Sequence, residues 1–66
     1  MFTLTVVSQA GAAKQAFDTP YRALAALDTV APSVFDLADM LIELQHNGGC
    51  IRQERGLIVT LARSVH

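Results

Sequence analysis

Three acidic side chains recur at helical spacing in the middle of the chain. Asp36, Asp39 and Glu43 lie three and four residues apart, so on a helix they form one narrow stripe. Carboxylates can act as general acids, hold a metal ion or bind a cationic partner. Catalytic carboxylates need a cleft that perturbs their pKa, and the solvated side of one helix offers none. The stripe is therefore either a solvated surface or a partner-binding surface.

Basic side chains follow this stripe in the next segment of the chain. Arg52, Arg55 and Arg63 oppose a single acid there, Glu54. The net charge of −1 is thus a sum of an acidic helix and a basic tail. If the acids dock on a basic groove of a partner, Arg52 and Arg55 are expected to contact its rim. The predicted partner-binding residues are Asp36, Asp39, Glu43, Arg52 and Arg55.

His46 and Cys50 are four residues apart, a spacing that superficially resembles half of a zinc site. A structural zinc site needs four ligands, and a third of the same types could come only from His66. Gly48 and Gly49 also break the helix between the first two. A nucleophilic Cys50 would need a paired base, whereas its apolar surroundings indicate a small buried side chain. We expect no metal and no cofactor.

Composition bounds the class of protein. Sixty-six residues make one domain, residues 1–66, which buries only roughly 60% of its unfolded surface. With one cysteine, no disulfide within the chain can add stability. Apolar residues make up 52% and charged residues 17%, below the usual ~25%. Apolar side chains must then remain on the surface, which indicates a homodimer or an obligate partner. The alternative is a compact monomer with alanine-rich helices.

Other classes of protein are disfavoured. The first residues contain no basic segment of a signal peptide, and no apolar run approaches the ~18 residues that span a bilayer. A lone thiol suits a reducing compartment, so we expect a cytoplasmic protein without membrane contact. The chain is also short for a ligand pocket of about 300–1,000 Å³. We therefore predict no enzyme and no catalytic residues.

Hydrophobic periodicity predicts most of the elements. In residues 2–8 the apolar side chains Phe2, Leu4 and Val6 alternate with Thr3, Thr5 and Val7. This period of two, in aromatic and β-branched residues, is typical of a strand. Residues 9–17 are ambiguous between a return strand and a short helix. Thr19 and Pro20 are a helix start, and Pro32 ends that helix near residue 30. Its apolar stripe is predicted to contain Tyr21, Leu24, Ala25, Leu27 and Ala31.

The second half of the chain predicts a helix and a hairpin. Ser33 opens the helix in a capping box with Asp36, and most of its circumference is expected to be buried. Glycines at 48 and 49 end it. Residues 50–53 and 57–63 then form a hairpin around Gly56. The last strand carries apolar side chains on both faces, so it is a central strand or it meets a partner.

These elements predict an α+β domain. Its small antiparallel sheet contains the N-terminal strand and the C-terminal hairpin, and two helices pack on one face. The order of elements resembles a winged-helix domain that lacks its first helix. In that interpretation residues 33–46 would enter the major groove and Arg52 and Arg55 would lie on the wing. An acidic helix is repelled by phosphates, so direct nucleic-acid binding is the less favoured hypothesis.

The favoured hypothesis is a small protein-binding module that blocks a larger protein. In size and lack of motifs the chain is similar to phage and mobile-element accessory proteins, including anti-CRISPR inhibitors of host machinery. That resemblance implies inhibition by steric blocking or charge mimicry. The alternative is a small dimeric winged-helix-like transcriptional regulator that binds DNA. A homo-oligomeric structural subunit is the third hypothesis.

Overall fold

The computed structural model describes residues 1–64. Along this part of the chain the elements are β1 (Phe2–Ser8), β2 (Gly11–Phe17), α1 (Pro20–Val30), α2 (Leu37–Asn47), β3 (Gly49–Glu54) and β4 (Leu57–Arg63). The four strands form one antiparallel sheet in the order β2-β1-β4-β3. The predicted α+β domain, with helices on one face of a small antiparallel sheet, is confirmed.

The ambiguous residues 9–17 contain a strand. β2 pairs with β1 along its whole length, from Phe2 opposite Phe17 to Ser8 opposite Gly11. At the turn the Ser8 hydroxyl accepts a hydrogen bond of 3.2 Å from the Ala10 amide. Pairing with β1 satisfies backbone groups that a five-residue helix would leave open. Because two strands precede the helices, the observed order of elements differs from the winged-helix-like order, which has one.

Helix α1 has the predicted bounds, Pro20–Val30. The Thr19 hydroxyl accepts a hydrogen bond of 3.2 Å from the Arg22 amide, and Pro20 takes a position that needs no donor. The buried stripe differs from the predicted one, because Ala23 is buried in place of Tyr21 and Ala25. About two-thirds of the Tyr21 surface is exposed. Its hydroxyl can therefore bond to water, whereas a buried hydroxyl would need a partner in the protein.

Helix α2 begins later than predicted, at Leu37. Asp36 caps it, and Ser33 lies in the preceding loop with a φ of 60°. At the other end Gly48 adopts a φ of 78° and its amide donates a 2.9 Å hydrogen bond to the Leu44 carbonyl. Glycine reaches this left-handed conformation without a Cβ penalty, which confirms the predicted end of the helix.

The prediction that α2 is buried around most of its circumference is wrong. Met40 and Leu44 are buried, but Ala38 is exposed and Ile42 is 55% exposed. One helix lying on one sheet face can bury only one stripe, and no second layer covers the outer side of α2 within residues 1–64.

The core lies between the two helices and one face of the sheet. Its buried side chains are Leu4, Ala23, Leu24, Leu27, Ala31, Phe35, Met40, Leu44, Cys50, Val59 and Leu61. On β4, Val59 and Leu61 are buried on the side of the helices, and β4 lies in the centre of the sheet between β1 and β3. The prediction of a central strand with two apolar faces is confirmed.

We expect truncation of a buried aliphatic side chain to lower the free energy of unfolding much more than truncation of an exposed one. Leu27 is fully buried, so Leu27→Ala is expected to lower the free energy of unfolding by about 2–5 kcal/mol through lost burial and a cavity. Ile42→Ala is the matched control, and it should cost under about 0.5 kcal/mol because that side chain faces solvent. Urea unfolding followed by circular dichroism measures both. Equal losses would contradict the assignment of Leu27 to the core.

Candidate functional site

Among the predicted partner-binding residues, Asp36 has a structural role. Its Oδ1 accepts a 3.1 Å hydrogen bond from the Asp39 amide, so it caps α2. A carboxylate at this position satisfies an open backbone donor and interacts favourably with the positive end of the helix dipole. Asp36 nevertheless stays exposed, and one oxygen of the carboxylate remains open to a partner.

Arg52 joins the other two acids of the stripe. It lies on β3, on the side of the sheet that faces the helices, because side chains two residues apart share a side and Cys50 is buried there. Its Nη2 donates to Asp39 Oδ2 at 2.9 Å and to Glu43 Oε1 at 3.0 Å. These hydrogen bonds to Glu43 and then Asp39 raise the pKa of the guanidinium above its ordinary value, because both favour its charged form. The contacts connect α2 to β3.

The structure therefore places Asp39, Glu43 and Arg52 together as an internal ion-pair network. The sequence patterns suggested an acidic stripe and, apart from it, arginines that contact the rim of a partner's groove, and β3 brings Arg52 beside the stripe. The Arg52 side chain is 25% exposed, compared with 64% for Asp39. A basic partner that bound this surface would have to compete with Arg52, whose single positive charge already offsets one of the two carboxylate charges.

Arg55 lies apart from that network. With Gly56 it forms the two-residue turn between β3 and β4, where Arg55 has a φ of 50° and Gly56 a φ of 78°. Positive φ at both positions is the geometry of a type I′ hairpin turn. Arg55 is exposed, and within residues 1–64 it makes no ion pair. The predicted set is thus split between a helix cap, a network and a hairpin tip.

Cys50 is buried in the core, with 4% of its surface exposed. Burial raises the pKa of the thiol, an effect that the charge of Arg52 partly offsets and those of Glu43 and Asp39 reinforce. The thiol is then protonated at neutral pH and a poor nucleophile. His66 of the hypothetical zinc set lies outside the described residues. Within residues 1–64, no three His, Cys, Asp or Glu side chains are grouped as metal ligands would be.

An open groove of about 440 Å³ lies between α1 and the β1–β2 hairpin. Its lining is mainly apolar and includes Leu4, Val6, Ala26 and Val30. This volume falls within the range of ligand pockets, but the groove is open to solvent and is not enclosed by the core. The lining contains one hydroxyl, from Ser8, and the amide of Gln15, whereas Lys14 borders the groove from an edge strand with its side chain on the opposite side of the sheet. It brings together no acid, base or nucleophile pair of the kind that catalysis uses.

The sheet surface turned away from the helices is the largest feature that the sequence patterns only partly indicated. Side chains alternate across strands, so the neighbours of buried Leu4, Val59 and Cys50 point to this side. We call it the open face. It consists of Thr3, Thr5 and Val7 on β1, Ala12, Lys14 and Ala16 on β2, Gly49, Ile51 and Gln53 on β3, and Ile58, Thr60 and Ala62 on β4.

Half of the residues of the open face are apolar, and the face is almost free of charge. Ile51 is 66% exposed, Ile58 42% and Val7 38%, and they form part of one continuous surface. Lys14, on an edge strand, is its one charged side chain. The signal for this surface is the second apolar side of β4, Ile58 and Ala62, together with threonines at alternate positions of β1. An apolar patch of this kind commonly marks a contact site.

Comparisons with known proteins add no assignment: no family model matches the chain, and neither a curated protein nor a solved structure shows significant similarity to it. Within the described residues, neither helix combines the length and the hydropathy that a membrane span requires.

The ion-pair network predicts unequal roles for two arginines that the sequence patterns grouped together. Arg52→Gln is expected to lower the free energy of unfolding by about 1 kcal/mol, because Asp39 and Glu43 then repel each other one helical turn apart. Arg55→Gln should change it by under about 0.5 kcal/mol. Urea unfolding at low and high salt measures the difference, which should shrink as salt screens the charges. Equal effects of both variants would contradict the network.

Burial of Cys50 predicts a slow reaction with iodoacetamide. The raised pKa leaves little thiolate at pH 8, and the closed core excludes the reagent, so alkylation of the native protein should be about a hundredfold slower than in guanidinium chloride. Mass spectrometry of timed samples measures both rates. Similar native and unfolded rates would show that the thiol is accessible and reactive.

Proposed function

We propose that this chain is a non-enzymatic protein-binding module and that the open face is its binding surface. The observation that carries the proposal is a complete side of a four-stranded sheet with exposed Val7, Ile51 and Ile58 and one charged residue. Sheets that remain in water on one side usually carry polar and charged side chains there. Here the charged residues of the described chain are concentrated on the helices, the turns and the helix-facing side of the strands.

The chemistry of the open face selects the kind of partner. Apart from Lys14 on an edge strand, the face offers no counter-charge, so a strongly charged partner would lose most of its hydration without a compensating ion pair. Thr3, Thr5 and Thr60 supply hydroxyls that can donate or accept hydrogen bonds. The partner surface is therefore neutral and largely apolar, with a few uncharged polar groups.

The finer hypothesis, a phage accessory inhibitor that blocks a larger host protein, stays a prediction. In that hypothesis Asp36, Asp39 and Glu43 would dock on a basic groove. The contacts of Arg52 with two of these acids leave Asp36 and the outer part of Asp39 most available for such docking. The open face supports protein binding independently of this stripe.

The alternative of a DNA-binding regulator also stays a prediction. It depends on Arg52 and Arg55 as phosphate contacts, and in the structure Arg52 already binds two carboxylates. The acids of α2 would lie beside the phosphates if this helix entered a groove, and their apposition is repulsive. We therefore favour the protein-binding function.

A single charge on the open face tests the proposal. Tagged wild-type protein and Ile58→Lys are cross-linked in a lysate of cells that carry the gene, and captured proteins are quantified by mass spectrometry. A lysine at position 58 would bury an unpaired ammonium in the interface, so capture of the specific partner should fall about tenfold or more.

Ile42→Lys is the matched control, because Ile42 is an equally apolar and exposed isoleucine on the outer side of α2. It should capture the same partner as the wild type. Circular dichroism verifies that both variants fold. If Ile58→Lys captures as much as Ile42→Lys, the open face is not the binding surface and the proposal fails.

A further inference from the structure

Resting on the proposed function, we infer that the occupant of the open face is a second copy of this chain, packed face to face. Strands lie about 4.8 Å apart and rise about 3.4 Å per residue, so four strands of six or seven residues cover about 19 by 24 Å. Two copies thus bury roughly 900 Å² of flat sheet, and more as accessible surface because side chains protrude. This is close to the ~1,000 Å² at which specific interfaces begin.

The register of the strands makes the open face complementary to itself. Its central row runs across the sheet as Lys14, Thr5, Thr60 and Ile51, and the adjacent row places Val7 beside Ile58. A two-fold axis parallel to the strands puts β1 opposite β4 of the second copy. Val7 then lies over Ile58 of the second copy, Thr5 over its Thr60, and Lys14 over its Ile51.

Lys14 decides between the two ways in which a two-fold axis can lie in the interface. An axis perpendicular to the strands would stack Lys14 directly on its own copy, and like charges in contact are repulsive. With the axis parallel to the strands, the two Lys14 residues lie at opposite edges of the interface. The aliphatic part of each lysine covers Ile51 of the second copy while its ammonium reaches water at the edge. The parallel axis is therefore the one that we assign, within the usual ~30° rotation of packed sheets.

This arrangement supplies the layer that a small domain lacks. A 66-residue chain buries a smaller share of its unfolded surface than a larger domain does, and oligomerisation is one of the ways in which such domains gain stability. The helices, the groove beside α1 and the ion-pair network of Arg52 all remain on the outer sides of the dimer. The area predicts a weak and reversible dimer, with a dissociation constant on the order of 100 μM.

The test compares two substitutions at one position that differ in the sign of the charge. Ile51→Lys places a cation opposite Lys14 of the second copy, and Ile51→Glu places an anion there. Sedimentation velocity of purified protein from micromolar to millimolar concentration measures the dimer dissociation constant of each. We expect Ile51→Lys to weaken the dimer about tenfold or more relative to Ile51→Glu at low salt, with a smaller difference at high salt.

Ile42→Lys should dimerise as the wild type does, because position 42 lies outside the interface. Equal dissociation constants for the two Ile51 variants would overturn the assigned register. A wild-type chain that stays monomeric up to millimolar concentration would overturn the second copy as occupant. In that case, capture of another protein by the wild type and not by Ile58→Lys would still support the proposed function. A chain that neither dimerises nor captures a partner through the open face would reject both proposals.

Discussion

Both helices pack on the same side of the sheet, and this one-sided arrangement accounts for the core and for the open face alike. Helices α1 and α2 cover the side that contains Leu4, Val59 and Leu61, and this contact forms the buried core of the described residues. Within residues 1–64 no further element forms a third layer on the other side. The uncovered side consequently retains apolar side chains in contact with water, and their desolvation is the driving force available for association.

The charged side chains also follow the difference between the helix-covered side of the sheet and the open face. Asp39, Glu43 and Arg52 meet where α2 lies against β3, and there they add electrostatic contacts to a boundary formed mainly by apolar packing. Asp36 satisfies the amino-terminal end of the same helix. These charged residues thus make contacts within the fold. The open face can bind a partner mainly through hydrophobic contacts and through hydrogen bonds of its threonine hydroxyls. This division favours recognition by shape over long-range electrostatic attraction.

Local chemistry was sufficient where each element carried its own signal. Thr19 with Pro20 defined the start of α1, Gly48 the end of α2, and Gly56 the last turn. Residues 9–17 remained ambiguous because alanine, lysine and glutamine favour a helix while Gly11 after a strand favours a hairpin, and only pairing with β1 decided between them. The start of α2 was misplaced because both Ser33 and Asp36 are good caps, and a positive φ excludes Ser33 from the helix.

The fold class and the lack of an intrachain disulfide could be read from alternation, caps and cysteine number, which are local or compositional properties. The two apolar sides of β4 left open whether it is a central strand or meets a partner, and the strand order decided this. Tertiary structure alone decided which charges neutralise each other and which residues form a continuous surface. Arg52 is nine residues from Glu43 and thirteen from Asp39, and the open face combines four strands from both ends of the chain. Such contacts depend on strand register and helix placement, which arise only when distant segments pack together.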